Sequence, residues 1–353
     1  VKEAIKLDTL PVDKPVAQNI YDNQNRLLLK QGAILTGSLI DRLKSTNIES
    51  VYVEKDESPE FALEPHSAIS LAPPSELQAL YRELYKEQIK IGLRGTYRKP
   101  VQKELPDKVK ALINAIDDDL ELALHFYMGI KKSQSQYRFE HHHINTCILT
   151  ILLGFWLGLD VLLLKELGVV AMLHDIGELQ LSSVINKPGR LTVAERERVK
   201  LHPTIGVEIL NKTPWINSRE LYGVYTHHER LNGYGYPKGI LGDLIPIHAR
   251  IVSVASIFNA TTSNRSHQRA KNIVDTILEL RNRSYGELDS RVTRTLFNHV
   301  ADYLQRNKSS VILSNGDKGY LQRLSMDASK LVVIGQEIYD LDDYKCPKVV
   351  SVI

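Results

Sequence analysis

Twelve histidines occur in 353 residues, and nine of them fall between positions 141 and 267. Most of those nine stand at helix ends or in polar runs, away from the middle of apolar stripes. HHH at 141–143 opens one helical pattern, His174 and Asp175 close the next, His202 precedes Pro203 in KLHPTIG, and His227 and His228 are adjacent in THHERLNG. Imidazole and carboxylate donors drawn from several helices suit divalent ions that accept mixed nitrogen and oxygen coordination. A carboxylate placed between two such ions can bridge them. Two close ions can then lower the pKa of a shared water and stabilise a transferring phosphoryl group. A single histidine of this kind is more often a satisfied structural or surface residue. The set, in this order, points to a metal centre.

The elements that must position these residues are mostly helices. Apolar recurrence at three and four residues predicts helices near 140–157, 161–175, 193–210, 217–228, 247–262, 268–282 and 288–305. Upstream, Ser75 can cap a helix running to about Ile89, and Pro106 opens one that continues to about Met128. Before these lie two short strand candidates, VAQNIYD and RLLLK, around the turn residues Asp22, Asn23 and Asn25. Helical spacing over Thr36 to Leu43 and a third strand, VYVE, follow. Strand signals return at SSVILSNGDKGYLQRL, where Asn-Gly suggests a hairpin, and at KLVVIG. The expected fold class is mainly α. Its parts are a small α+β module at 1–55, a linker and connecting helix at 56–105, a helical domain at 106–308 and a β-hairpin extension at 309–353.

Composition narrows the function. Lys and Arg number 45 against 42 Asp and Glu, a net charge of +3, and no basic cluster is interleaved with aromatics, so a long nucleic acid is not expected as a partner. The two cysteines, Cys147 and Cys346, offer neither a disulfide framework nor a thiolate metal site, which suits a cytoplasmic setting. No basic-then-apolar leader is visible at Val1. The most apolar run, ILTILLGFWLGLDVLLLKELGVVAML, carries Asp160, Lys165 and Glu166 and is broken by Gly158, so two buried helices are expected and no membrane span.

Residues of about 137–305 resemble the HD-GYP domain, a branch of the HD metal-dependent phosphohydrolases. The text that carries the resemblance is HHHIN, AMLHDIGELQLSSVINKPGRLTVAERERVKLHPTIGVEIL and THHERLNGYGYPKGILGDLIPIHARIVSVASIFNATTSNR, with Gly235, Tyr236 and Pro237 as the GYP tripeptide. The resemblance implies hydrolysis of cyclic di-GMP to the linear dinucleotide or GMP by a metal-activated hydroxide. It implies metal ligation by His142, His174, Asp175, His202, His227 and His228, with Asp175 as the bridge. His142, three residues before Asn145, matches the first-histidine motif better than His141 or His143 does. The cofactor implied is a divalent ion, Fe or Mn, at one or two sites. Arg265 matches a basic residue near substrate; Lys187 and Arg190 are candidate phosphate contacts, and Tyr236 is a candidate substrate contact. A signalling partner or a homodimer is also compatible.

Several positions depart from the family pattern. Glu178 stands where relatives usually carry the lysine of HDIGK, Ser256 replaces the aspartate of VAD, and Asn232, Asn259 and Asn264 replace aspartates. Gln268 stands where a basic residue is common. Glu178 is a candidate catalytic carboxylate beside Asp175: four residues after His174, it would share that histidine's face if the helix ran on through Gly177. Ser256 removes an anionic ligand. Two functions therefore stay open: a phosphodiesterase, or a weak or inactive signalling module that binds nucleotide or protein.

Overall fold

The computed structural model describes residues 2–6, 16–22, 26–29, 35, 40, 43–44, 48, 50–54, 75–96, 99–133, 139–185, 187, 189–264, 270–324, 331–334, 337–341, 343 and 346–352. The chain divides into two compact units, Val1–Pro65 and His66–Ile353.

In the first unit β1 (Lys2–Lys6), β2 (Ile20–Tyr21), β3 (Leu27–Leu29) and β4 (Ser50–Glu54) form two antiparallel pairs, β1 with β4 and β2 with β3. The Asp22 carboxylate holds the β2–β3 connection by accepting from the Arg26 amide and from Arg26 Nε, each at 2.8 Å. That local bonding is why aspartate favours turns. Val16, Ile20, Leu35, Ile40, Leu43 and Val51 form the small core. Strand β1, KEAIK, lacks the apolar alternation that would have marked it. Of the helix expected over Thr36 to Leu43, Ile40 and Leu43 are described and helical; the rest of that segment, and the linker from Lys55 to Pro74, lie outside the described residues.

The second unit is mainly helical. It begins with α1 (Ser75–Thr96), which runs past the expected end at Ile89. The helix expected over 106–128 is two helices, α2 (Glu104–Asp117) and α3 (Leu120–Ser133). The Asp119 carboxylate accepts from the Leu122 amide at 2.9 Å, satisfying an otherwise orphaned N–H and starting a new helix. Helix α4 (Phe139–Trp156) is buried continuously from His141 to Gly154, and α5 (Val161–Leu173) packs against it. Between them Gly158 takes φ 71° and the Asp160 carboxylate accepts from the Leu163 amide at 3.0 Å, so the long apolar run is cut in two as expected. Among the described residues no helix is long and apolar enough to cross a membrane.

Past a 3-10 segment at Ile176–Leu181, the stretch expected as one helix over 193–210 is split into α6 (Val193–Val199) and α7 (His202–Leu210). Pro203 has no N–H to donate and is tolerated only in a helix's first turn, so α7 must start beside it. Helices α8 (Ser218–Thr226), α9 (Ile247–Thr261), α10 (Ile273–Arg283) and α11 (Ser290–Arg306) complete the bundle.

The C-terminal extension is larger than a hairpin. It holds β5 (Ser310–Leu313), β6 (Lys318–Arg323), β7 (Leu331–Ile334), β8 (Glu337–Asp340) and β9 (Val349–Val352) in one antiparallel sheet of order β8-β7-β6-β5-β9. The hairpin expected at Asn315-Gly316 joins β5 to β6, with Gly316 at φ 91°.

Candidate metal centre

Three helix ends deliver the histidines. His174 follows the last residue of α5, His227 follows the last of α8, and His202 is the first residue of α7. Each ring is tied by Nδ1 to the carbonyl three residues earlier: His174 to Ala171 at 2.8 Å, His202 to Val199 at 2.8 Å and His227 to Val224 at 2.7 Å. A carbonyl only accepts, so each Nδ1 carries a proton, and a ring in its neutral form presents a bare Nε2 lone pair. All three lone pairs face Asp175. His202 Nε2 and His227 Nε2 each lie 3.2 Å from Oδ1, and His174 Nε2 lies 3.2 Å from Oδ2. His142, from α4, brings its Nε2 to 3.6 Å from Oδ2. Asp175 itself sits at φ −102°, ψ 15°, in the bridge region where site residues recur.

The donor set falls into two groups that share Asp175: Asp175 with His202, His227 and His228, and Asp175 with His142 and His174. The first group suits a divalent cation on the chemistry of its donors. His202 Nε2 and His227 Nε2 are only 3.3 Å apart, two lone pairs aimed at each other across a carboxylate. A cation between them turns repulsion into coordination. The buried His174 Nε2 likewise has no hydrogen-bond partner among the described residues.

Burial alone would raise the Asp175 carboxyl, but the imidazoles of His174, His202 and His227 around it hold it well below the usual carboxylate range. Burial drives His227 down to about 4 in spite of Asp175, and drives His228 well below its ordinary value with help from His227 and His202. His202 goes the other way: its hydrogen bond to Asp175, with the charges of Asp175 and Glu178, outweighs burial and raises it.

The remaining expected residues are placed as follows. Tyr236 stacks on His228 with ring centroids 4.5 Å apart and meets His202 edge-on at 6.2 Å. Glu178 lies in the 3-10 segment, not on a continuation of α5, so the shared face with His174 is not formed. Its charge reaches His202 and Tyr236, but its carboxylate is not part of either donor group. Lys187 and Arg190 are both exposed, and Lys187 pairs with Glu195 at 2.7 Å; the structure does not bring them into the cluster. Arg265 and Gln268 lie outside the described residues. His141 and His143 turn elsewhere, His141 to the Tyr81 hydroxyl at 2.9 Å and His143 to Gln88 Oε1 at 3.3 Å. Ser256 Oγ stands 3.3 Å from His142 Nε2, and the Asn259 amide nitrogen stands 3.0 Å from His142 Nδ1.

Two positioning residues were not singled out from the sequence. Glu229, 3% exposed, accepts from the amides of Lys238, Gly239 and Ile240 at 2.7, 3.1 and 3.1 Å, and so clamps the glycine-rich loop. Arg230 binds the carbonyl of Glu229 at 2.7 Å and Ser253 Oγ at 2.9 Å, fastening the end of α8 to α9. Gly235 is required by close approach: a Cβ there would lie 2.4 Å from the Arg230 nitrogen and from Glu229 Cα. The signal for Glu229 was its place directly after the histidine pair.

A family model described as HD domain matches residues 148–292, which takes in His174 to His228 but begins after His142. A cyclic di-GMP phosphodiesterase of Thermotoga maritima is 31% identical over 257 residues, 67% of this chain and 69% of the relative. The chain belongs to the HD-domain family, in its HD-GYP branch. Within that branch a cyclic di-GMP phosphodiesterase of Pseudomonas aeruginosa is 29% identical over 221 residues, 60% of this chain and 53% of the relative. A 3'3'-cGAMP-specific phosphodiesterase of Vibrio cholerae is 31% identical over 179 residues, 50% of this chain and 41% of the relative. For most of these curated relatives the match spans about half their length or less. An HDG"Y"P protein from Bdellovibrio bacteriovorus has a similar fold, with a TM-score of 0.54 at 17% identity, covering 85% of this chain and 99% of that one.

Proposed function

We propose that this HD-GYP-type chain is a metal-dependent phosphodiesterase of a cyclic dinucleotide, with cyclic di-GMP as its first candidate substrate. The observation that carries the reading is the buried Asp175 carboxylate with the imidazole nitrogens of His142, His174, His202 and His227 gathered around it. Asp175, His202, His227 and His228 would hold a divalent ion, Fe or Mn. Such an ion supplies Lewis acidity toward a phosphoryl oxygen and lowers the pKa of a water it binds. The protein's own part is to keep each Nε2 deprotonated and aimed, through the Nδ1 tethers to Ala171, Val199 and Val224. The clamp of Glu229 on residues 238–240 keeps Tyr236 against His228 at the edge of the centre, where a nucleotide would enter. Cyclic di-GMP is a dianion, so Glu178 opposes its phosphates unless the metal or Arg265 compensates. Lys187 and Arg190 remain candidate phosphate contacts only through movement of their loop.

A second reading has one observation behind it. Ser256 Oγ, which carries no charge, occupies the place beside His142 Nε2 where an anionic ligand would complete the other donor group. A chain that binds the nucleotide, or a protein partner or second copy, without cutting would follow. Incubation of purified protein with cyclic di-GMP and Mn²⁺ or Fe²⁺ separates the two. Release of linear dinucleotide or GMP, lost in Asp175→Ala, is expected. Saturable binding with no turnover would favour the signalling module, and neither binding nor turnover would overturn the substrate assignment.

A further inference from the structure

We infer that the two donor groups around Asp175 are not equivalent: the hydrogen-bond network behind His142 fixes its proton on Nε2 and closes that side to metal. The centre then holds a single divalent ion, on Asp175 with His202, His227 and His228. The inference deepens the metal-centre reading above and rests on it.

The network starts at Lys131 in α3, 9% exposed, whose ammonium donates to Asn259 Oδ1 at 2.8 Å, to the Asn259 carbonyl at 3.1 Å and to Ser263 Oγ at 2.6 Å. An ammonium only donates, so the oxygen of the Asn259 amide must be the atom that faces it. The other end of the same amide faces the His142 carbonyl at 2.9 Å and Thr146 Oγ1 at 3.2 Å. A carbonyl only accepts, so Nδ2 must be the atom on that side. Flipping the amide would set NH₂ against the ammonium and its oxygen against the His142 carbonyl oxygen, at a fully buried residue. The orientation is therefore fixed from both ends.

Asn259 Nδ2 lies 3.0 Å from His142 Nδ1. Being a donor, it admits only a deprotonated Nδ1 at that distance. The neutral His142 ring must then carry its proton on Nε2, where it points at Ser256 Oγ, 3.3 Å away, with Asp175 Oδ2 just beyond at 3.6 Å. His142 is thus the reverse of His174, His202 and His227, whose protons sit on Nδ1. Its inward atom offers a hydrogen where theirs offer lone pairs. With His142 withdrawn and Ser256 uncharged, His174 and one oxygen of Asp175 are what remains on that side, fewer donors than a protein-held divalent ion ordinarily has.

The test is metal counting together with imidazole ¹⁵N NMR on the full-length, histidine-labelled chain loaded with Zn²⁺. His142 is assigned by the signals lost in His142→Gln. The expected result is about one Zn²⁺ per chain, with His142 protonated on Nε2 as read from its ¹⁵N couplings to the ring carbon-bound protons. About two Zn²⁺ per chain, or a His142 ring protonated on Nδ1, overturns the inference. The paired substitution Asn259→Asp with Ser256→Asp should raise the count to about two, because an aspartate at 259 accepts from Nδ1–H and one at 256 supplies an anionic ligand. A count that stays at one in a folded double variant also overturns it. A wild-type chain that takes no Zn²⁺ would sink the metal-centre reading, while the His142 tautomer would still decide the present point.

Discussion

The two oxygens of Asp175 see different chemistry. On the Oδ1 side His202 and His227 approach at 3.2 Å, each tethered by its own helix end, with His228 and Tyr236 stacked behind them. On the Oδ2 side His174 is tethered in the same way, but His142 is held from α9 by an amide whose direction is set by Lys131. A carbonyl three residues back can only accept, and it makes an imidazole into a ligand. An amide nitrogen at the same ring atom can only donate, and it makes an imidazole into a donor. One change of partner at Nδ1 separates a metal-binding histidine from one that hydrogen-bonds.

The comparison can be broken at its hinge first. Asp175→Ala removes the oxygen atoms common to both sides and leaves Nε2 lone pairs facing one another; nearly complete loss of bound metal by atomic emission is expected. Retention of metal would show that the histidines alone make the site. His202→Ala and His227→Ala should each weaken metal binding by at least about 10–100-fold, the range seen even when partners behind a ligand are lost. His142→Ala should leave metal content unchanged. Equal losses from the two sides would erase the distinction drawn between them.

Stability against pH gives a third handle. His227 is lowered to about 4, chiefly by burial, and His143 to about 3, by burial and then the charge of His174. Both are neutral in the folded chain and take up protons on unfolding below about pH 6.5. The unfolded state then binds more protons, so the metal-free protein should lose stability as pH falls from about 6.5 toward 4. His202, raised above its ordinary value, opposes this, since its contribution is fully present at low pH and is lost as pH rises through its folded pKa. Urea midpoints across that range measure the balance, and midpoints that rise on acidification would show His202 to dominate. Added metal should shift the loss to lower pH, because the ligands must shed protons to bind.

A smaller effect is expected at the loop. Glu229→Gln keeps the shape but replaces an acceptor of three amides, which should lower stability by roughly 1–3 kcal/mol and leave metal content alone. The smallest concerns Lys187→Ala, which removes an exposed pair with Glu195 and should leave the urea midpoint nearly unchanged.

Much of the fold was legible because it depends on local pattern. The mainly α class follows from apolar spacing, and the hairpin at Asn315-Gly316 from its turn residues. The break between α2 and α3 was missed because three consecutive aspartates look alike until one of them caps Leu122. The positions around Asp175 could be assembled because imidazole and carboxylate announce their chemistry by type. Asn259 is the opposite case. Its replacement of an acid was visible, but the direction of its amide is decided by Lys131, 128 residues away. Glu178 was tied to a helical face that the chain leaves when it enters the 3-10 segment at Ile176.

Gly177 lies in that segment, where only a residue without a side chain fits. A side chain there would put its Cβ 2.0 Å from the His202 carbonyl and 2.8 Å from the Gly206 nitrogen, so the turn after Asp175 and the first turn of α7 touch backbone to backbone. His174, Asp175 and His202 are therefore fixed to one another by main chain rather than by the side chains that meet a ligand. Drift at this locus would disturb the centre without touching a ligand. Gly177→Ala would displace the ligands with every one of them intact, and an inventory of histidines and aspartates would still score the centre as whole.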